Sequence, residues 1–288
     1  MRKLAFSLSF CLSVVGCRQV DELRPASNVP APTTPAVAAA PDSPPPEWMS
    51  SERAVFAHVQ EDFASLGLKE AQSARLAITE DAHLPSYQGE SRTISAPPFT
   101  DGPDRMRERL ARMSARHFGG TLTFVDRFAS AEEAYRGYRV FLTVALAHEL
   151  WHHLQSSRPR AARPASIYDT ESEAIELEQA YLAREIAEKH VPASFLADYR
   201  RAVMAFHDAV PDATFASLPA DEKDLRRAFD AAYLTYVHGE TNAEEDGVNP
   251  EVEAGRVVLA GYSRRRIQLL TKGARPFADF VTLAGPPR

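Results

Sequence analysis

The stretch that most constrains this chain is Val140 to Gln155, VFLTVALAHELWHHLQ. An apolar run leads without a break into His148-Glu149-Leu150-Trp151-His152. On a helix, residues four apart lie on one face, one turn from each other. His148 and His152 so placed can hold one Zn²⁺ between them, at roughly 2.0–2.1 Å per Zn–N bond. Glu149 follows the first histidine and can reach water on the metal as a general base. Whatever fold the chain adopts must bury this helix and still leave one polar face open to a cavity.

The rest of the composition permits that. The chain has 288 residues, 44% hydrophobic and 25% charged, enough apolar side chains for a sizeable core. Its formal net charge is -6, and its arginines are scattered among acids as on solvated helix faces. A nucleic-acid binder would need a dense basic stripe, and there is none. At the start, Arg2 and Lys3 precede an apolar stretch, Leu4 to Val15, too short to span a bilayer. It ends in Val14-Val15-Gly16-Cys17, which resembles the lipobox of bacterial lipoproteins. That resemblance implies a signal peptide over 1–16 and lipid on Cys17. Gln19, where an aspartate is associated with inner-membrane retention, points to the outer membrane, with the domain in the periplasm or at the cell surface.

Residues 17–47 read as the lipidated cysteine followed by a tether, because the segment is crowded with proline from Pro25 to Pro46 and cannot bury a core. Trp48 marks the expected edge of a single folded domain, 48–288. Of the two cysteines, Cys11 would leave with the signal peptide and Cys17 would carry lipid. No thiolate remains for a disulfide or a metal, so a metal site must use histidines and carboxylates.

Within the domain the patterning predicts a mainly α fold with a small edge sheet. Helices are expected from Ser50 or Ser51 to Leu66, over Glu70–Glu80 as a short piece, and from Pro103 to before Gly119. Leu84 to Asp101 reads as loop with short extended pieces near Arg92–Ile94. Thr121 to Phe128 alternates like a strand. Ser130 and Glu133 match a capping box, opening a helix that runs through the histidines to about Ser156. Further helices are expected from Asp169 or Thr170 to Lys189, from Pro192 to Val210, from Asp221 to Val237 and from Val257 to Leu270. Gly239 to Glu253 reads as an acidic loop.

A hydrolytic zinc ion usually has three protein ligands. Metzincins continue their motif with a Gly three residues after the second His and a third His six residues after it. Gln155 and Arg158 stand there, which excludes that class. The chain instead resembles gluzincin-type metallopeptidases, in His148–His152 and in Glu171-Ser172-Glu173-Ala174. The resemblance covers about Val140 to Tyr181. It implies a zincin-like domain, one Zn²⁺ per chain, peptide or protein substrates, and Glu171 as third ligand with Glu149 as general base. Glu173 is the alternative ligand, although it is also placed to be the capping-box partner of Thr170. The family often carries Asp or Asn four residues after the ligand Glu; here that residue is Ile175, so support for a ligand histidine must come from elsewhere.

Tyr168, Tyr236 and His238 are candidates for a second electrophile at the oxyanion, and His153 for a supporting or surface role. Glu176 and Glu178 read as solvated face residues, His58 as a surface or core-edge histidine, and His190 and His207 as structural ones. Two rivals to the peptidase stay open: a zincin fold that no longer cleaves and serves as a binding or scaffold lipoprotein, and a purely structural helical lipoprotein. The oligomeric state is not legible.

Overall fold

The computed structural model describes residues 46–80, 82, 84–117, 124–208, 210–238 and 250–284. The expected signal peptide, Cys17 and nearly all of the tether lie outside them. Among the described residues the chain is mainly α with a small mixed sheet. None of these helices is long and apolar enough to cross a membrane.

Helix α1 (Glu52–Ser65) opens with Ser51 accepting the Ala54 N–H, and Gly67, at φ 91°, turns the chain after it. Where a second helix was expected, Lys69–Ser73 makes only a 3₁₀ turn and β1 (Arg75–Ile78) follows. The expected loop contains two more strands, β2 (Ser86–Gln88) and β3 (Thr93–Ala96). β3 is the centre of the sheet, parallel to β1 and antiparallel to β2. β3 overlaps the extended piece expected near Arg92–Ile94, whereas β1 and β2, of four and three residues, are too short to show alternation.

Helix α2 is Pro103–His117. Of the strand expected at 121–128, residues 121–123 lie outside the described residues, and Val125–Arg127 forms a 3₁₀ turn instead. Its Phe124 ring is buried among Phe128, Tyr138 and Phe206. The aromatic residues there belong to packing between helices, not to a pleated surface.

Helix α3 (Ala131–Ser157) is the axis of the domain. The capping box forms: Ser130 Oγ accepts the Glu133 N–H, and Glu133 reaches back to the Ala129 N–H. From Tyr138 to Gln155 almost every side chain is buried, as suits a helix apolar on all sides. It packs on α4 (Ile167–Ala187) and α5 (Ser194–His207) along one flank, and on α1, α2 and β2 along the other. Helix α4 starts earlier than expected because Ser166, not Asp169 or Thr170, caps it by accepting the Asp169 N–H.

A short α6 (Asp212–Ser217), α7 (Glu222–His238), α8 (Pro250–Lys272) and α9 (Phe277–Ala284) complete the fold. The acidic stretch read as a loop to Glu253 is helical from Pro250; residues 239–249 lie outside the described ones. Helices α7 and α8 close over the open face of α3–α4. Their approach depends on Gly261, where a Cβ would stand 2.7 Å from the buried Phe229 ring. Gly261→Ala is expected to destabilise the domain by roughly 1–3 kcal/mol through overpacking. The gain of about 1 kcal/mol in helix propensity leaves a net loss of up to about 2 kcal/mol. A lowered urea midpoint with unchanged slope would show it.

Candidate metal centre

His148 and His152 lie one turn apart on α3 and their rings meet edge to face, with Nε2 atoms 2.9 Å apart. Glu171 Oε2, from the second turn of α4, is 3.3 Å from both Nε2 atoms. All three side chains are buried. Two imidazole nitrogens at that distance, with a carboxylate closing the triangle, cannot all be satisfied by one proton. A point about 2.0–2.1 Å from all three donor atoms exists, which is the zinc distance. The donor set therefore fits the ion that the spacing implied.

Each of the two histidines is held from behind. Glu178 Oε1 lies 2.7 Å from His148 Nδ1, close but off the N–H axis. His152 Nδ1 meets Gln155 Oε1 at 2.7 Å, and the Gln155 amide donates to the Thr170 carbonyl and to Glu173. Gln155, useful in the sequence only for what it excluded, thus orients a ligand. Glu178 corrects the expectation of a solvated residue. It is 1% exposed, accepts two hydrogen bonds from Arg266 of α8 (2.6 and 2.9 Å), and accepts the Tyr199 hydroxyl of α5 (2.8 Å). Glu176 is also buried, and pairs with Arg275. Ile175 leaves no gap in the site, because the acid that supports His148 comes three residues later on the same helix.

Glu173 is not among the converging donor atoms. It points under Trp151, accepting from the Trp151 indole (2.8 Å) and from Gln155, and lying 2.8 Å from Arg158. Nor is it a capping partner, since the cap is at Ser166. No protein family, curated protein or solved structure matches this chain.

Glu149 sits beside the triangle, Oε1 3.9 Å from His148 Nε2, while Oε2 accepts the Tyr87 N–H from edge strand β2 at 2.7 Å. His153 explains why that strand is in reach. It is buried rather than at the surface, and its ring contacts Ser73 Oγ (2.8 Å), the Tyr87 hydroxyl (3.0 Å) and the Glu70 carbonyl (3.1 Å). One residue after the second ligand, it ties the sheet to α3.

Glu149, Glu171 and Glu178 face one guanidinium, Arg266, so the remaining negative charge is balanced either by protons on the imidazoles or by a bound cation. Burial would push His148 down, but Glu171, Glu178 and Glu149 outweigh it and raise His148 to about 10. Burial would raise Glu171, yet His152 and His148 hold it well below the usual carboxylate range. Glu178 falls to about 2 because Arg266 and His148 overcome burial. Glu149 is the exception: burial raises it, and the histidines and the Tyr87 N–H only partly reverse that. A carboxylate with a raised pKa is suited to accept and return a proton.

These groups open into a cavity of about 90 Å³ whose walls include Leu84, Phe141, Ala145, Phe206, Leu259, Tyr233 and Tyr262. Tyr168 and Tyr236, expected as electrophiles, are not among its lining residues. Tyr168 packs on Phe229, and its N–H donates to Asp230 of α7. His238 ends α7, and its side chain lies outside the described ones. In their place stand Tyr233, one turn after Phe229, and Tyr262, next to Gly261. Burial and the nearby Glu171 and Glu149 carboxylates keep both phenols well above the ordinary range, hence protonated.

Proposed function

We propose that the chain is a zinc-dependent peptidase of the gluzincin kind, hydrolysing peptide bonds in substrates at or near a bacterial envelope. The convergence of His148 Nε2, His152 Nε2 and Glu171 Oε2 within 2.9–3.3 Å, with Glu149 beside them, carries this reading. His148, His152 and Glu171 would hold the ion, which supplies Lewis-acid polarisation of a carbonyl and lowers the pKa of water. Glu149, held by the Tyr87 N–H, takes the proton from attacking water and hands it to the departing amine. Tyr233 and Tyr262 offer protonated hydroxyls on the cavity wall where negative charge develops on the carbonyl oxygen. The apolar wall of Phe141, Ala145, Phe206 and Leu259 favours an apolar substrate side chain and keeps water scarce. The lipobox-like start and proline-rich tether support a lipid-anchored location.

Glu149 also favours an active enzyme over a scaffold. It is intact and hydrogen-bonded to the Tyr87 N–H beside the histidines, neither of which a purely structural zinc site requires. The purified chain is expected to contain zinc, to cleave members of a peptide panel, to lose cleavage on chelation and to regain it with added zinc. Metal-free protein from chelator-free purification would overturn the reading, and retained zinc without cleavage would favour the scaffold.

A further inference from the structure

We propose that His58, Asp62, Glu185 and His190 form a second divalent-metal site, of the zinc kind, clamping α1 to the C-terminal end of α4. Nothing in the spacing groups these residues: His58 reads as a surface or core-edge histidine and His190 as a structural one. Helix α4, however, buries acids at 171, 178 and 185, seven residues apart and so on nearly one face. The first two serve His148 and His152. Glu185 lies about 21 Å along the helix from Glu171, and serves a different pair.

The geometry is that of a four-ligand cluster. His58 Nε2 is 2.8 Å from Glu185 Oε2 and 3.3 Å from Asp62 Oδ2. His190 Nδ1 is 3.3 Å from Glu185 Oε1. One donor atom from each of the four lies within 4.8 Å of the others. His58 and Asp62 are four apart on α1, the same spacing as the α3 histidines. Lys189, at φ 62°, ends α4 and lets the His190 N–H return to the Glu185 carbonyl (2.9 Å), which brings the His190 ring over the cluster. Asp62 and Glu185 are buried, Trp48 stacks on the His58 ring at 4.0 Å, and the His190 side chain, 38% exposed, leaves one side open to solvent.

Charge leaves room for an ion at this cluster. Asp62, Glu185 and the more exposed Glu188 face one guanidinium, Arg184, at 3.5, 3.6 and 2.8 Å, and Asp62 also accepts the Tyr181 hydroxyl. The remaining negative charge is balanced by protons on the imidazoles or by a bound cation. A proton on His58 Nε2 can bond well to one carboxylate; a divalent ion neutralises both and engages both rings. Two imidazoles and two carboxylates suit zinc or its first-row neighbours, whereas calcium and magnesium prefer oxygen throughout.

The proposal does not depend on peptidase activity. Metal-stripped full chain should bind two Zn²⁺ per chain in a competition titration with a chromophoric chelator. The His58→Gln/His190→Gln chain should bind one, the His148→Gln/His152→Gln chain one, and the combined variant none. As a check on folding, zinc at about a hundredfold above Kd should raise the Tm of the His148→Gln/His152→Gln chain by roughly 5–10 °C, and leave that of the combined variant unchanged. A stoichiometry or thermal shift insensitive to His58→Gln/His190→Gln overturns the second site, whatever the wild-type total; a wild-type stoichiometry of one that this variant abolishes would keep the second site and overturn the first. Loss of binding only at His148 and His152 would concern the peptidase reading instead.

Discussion

Glu149→Gln is expected to lower peptide hydrolysis by about 10²–10⁴-fold, the usual contribution of a positioned general base, while leaving zinc affinity nearly unchanged. The amide is isosteric and can still accept the Tyr87 N–H that holds the carboxylate. What it cannot do is take a proton. Glu149 also lies 3.9 Å from His148 Nε2, so it is not one of the three converging donors. The loss should therefore fall on kcat, with KM little changed. Paired measurements of kcat, KM and bound zinc would check this. Unchanged kcat would remove Glu149 from the chemistry and require another group as the base.

Glu178→Ala is expected to have the largest effect on stability. It leaves Arg266, largely covered by Phe141, Tyr262 and Tyr199, without its bidentate partner, and the Tyr199 hydroxyl without its acceptor. Breaking such a pair from one side costs about 3–5 kcal/mol, a large share of the roughly 5–15 kcal/mol that holds a domain together. It also frees the His148 ring, and loss of a group that orients a ligand costs about 10–100-fold in metal affinity. The two effects separate in Glu178→Gln/Arg266→Met, which removes both charges. Stability in urea should largely recover, whereas zinc affinity should stay below wild type. Recovery of both would mean that Glu178 acts only through Arg266.

Much of the candidate site was legible because its information is local. Histidines four apart, an acid after the first, and a second acid-bearing helix within about twenty residues are all properties of sequence spacing. The long helices were legible too, from Ser51, Pro103 and Ser130 at their starts. Glu178 was not, although it repeats Glu171 two turns later. Between Glu176 and Gln179 on a charged helix it reads as solvated, and only the arrival of Arg266, 88 residues away, makes burial affordable. Tyr233 and Tyr262 were missed for the same reason: the cavity wall is made by α7 and α8 meeting at Gly261, and no local pattern announces which of several tyrosines faces it. β1 and β2 are too short for alternation to register, and the Phe124 cluster copied the look of a strand while serving helix packing.

By itself, then, the sequence determined a central apolar helix carrying His148, Glu149 and His152, and a partner helix carrying Glu171, because helical periodicity converts spacing directly into a shared face. The tertiary structure decided everything that depends on distant chain segments meeting. It turned Glu173 toward Trp151 and Arg158, brought Glu178 behind His148, and set Tyr87 against Glu149 through His153. It also carried His58 of α1 to the far end of α4. Those choices rest on burying charge only where a counter-charge from another element arrives, and spacing within one element cannot specify that.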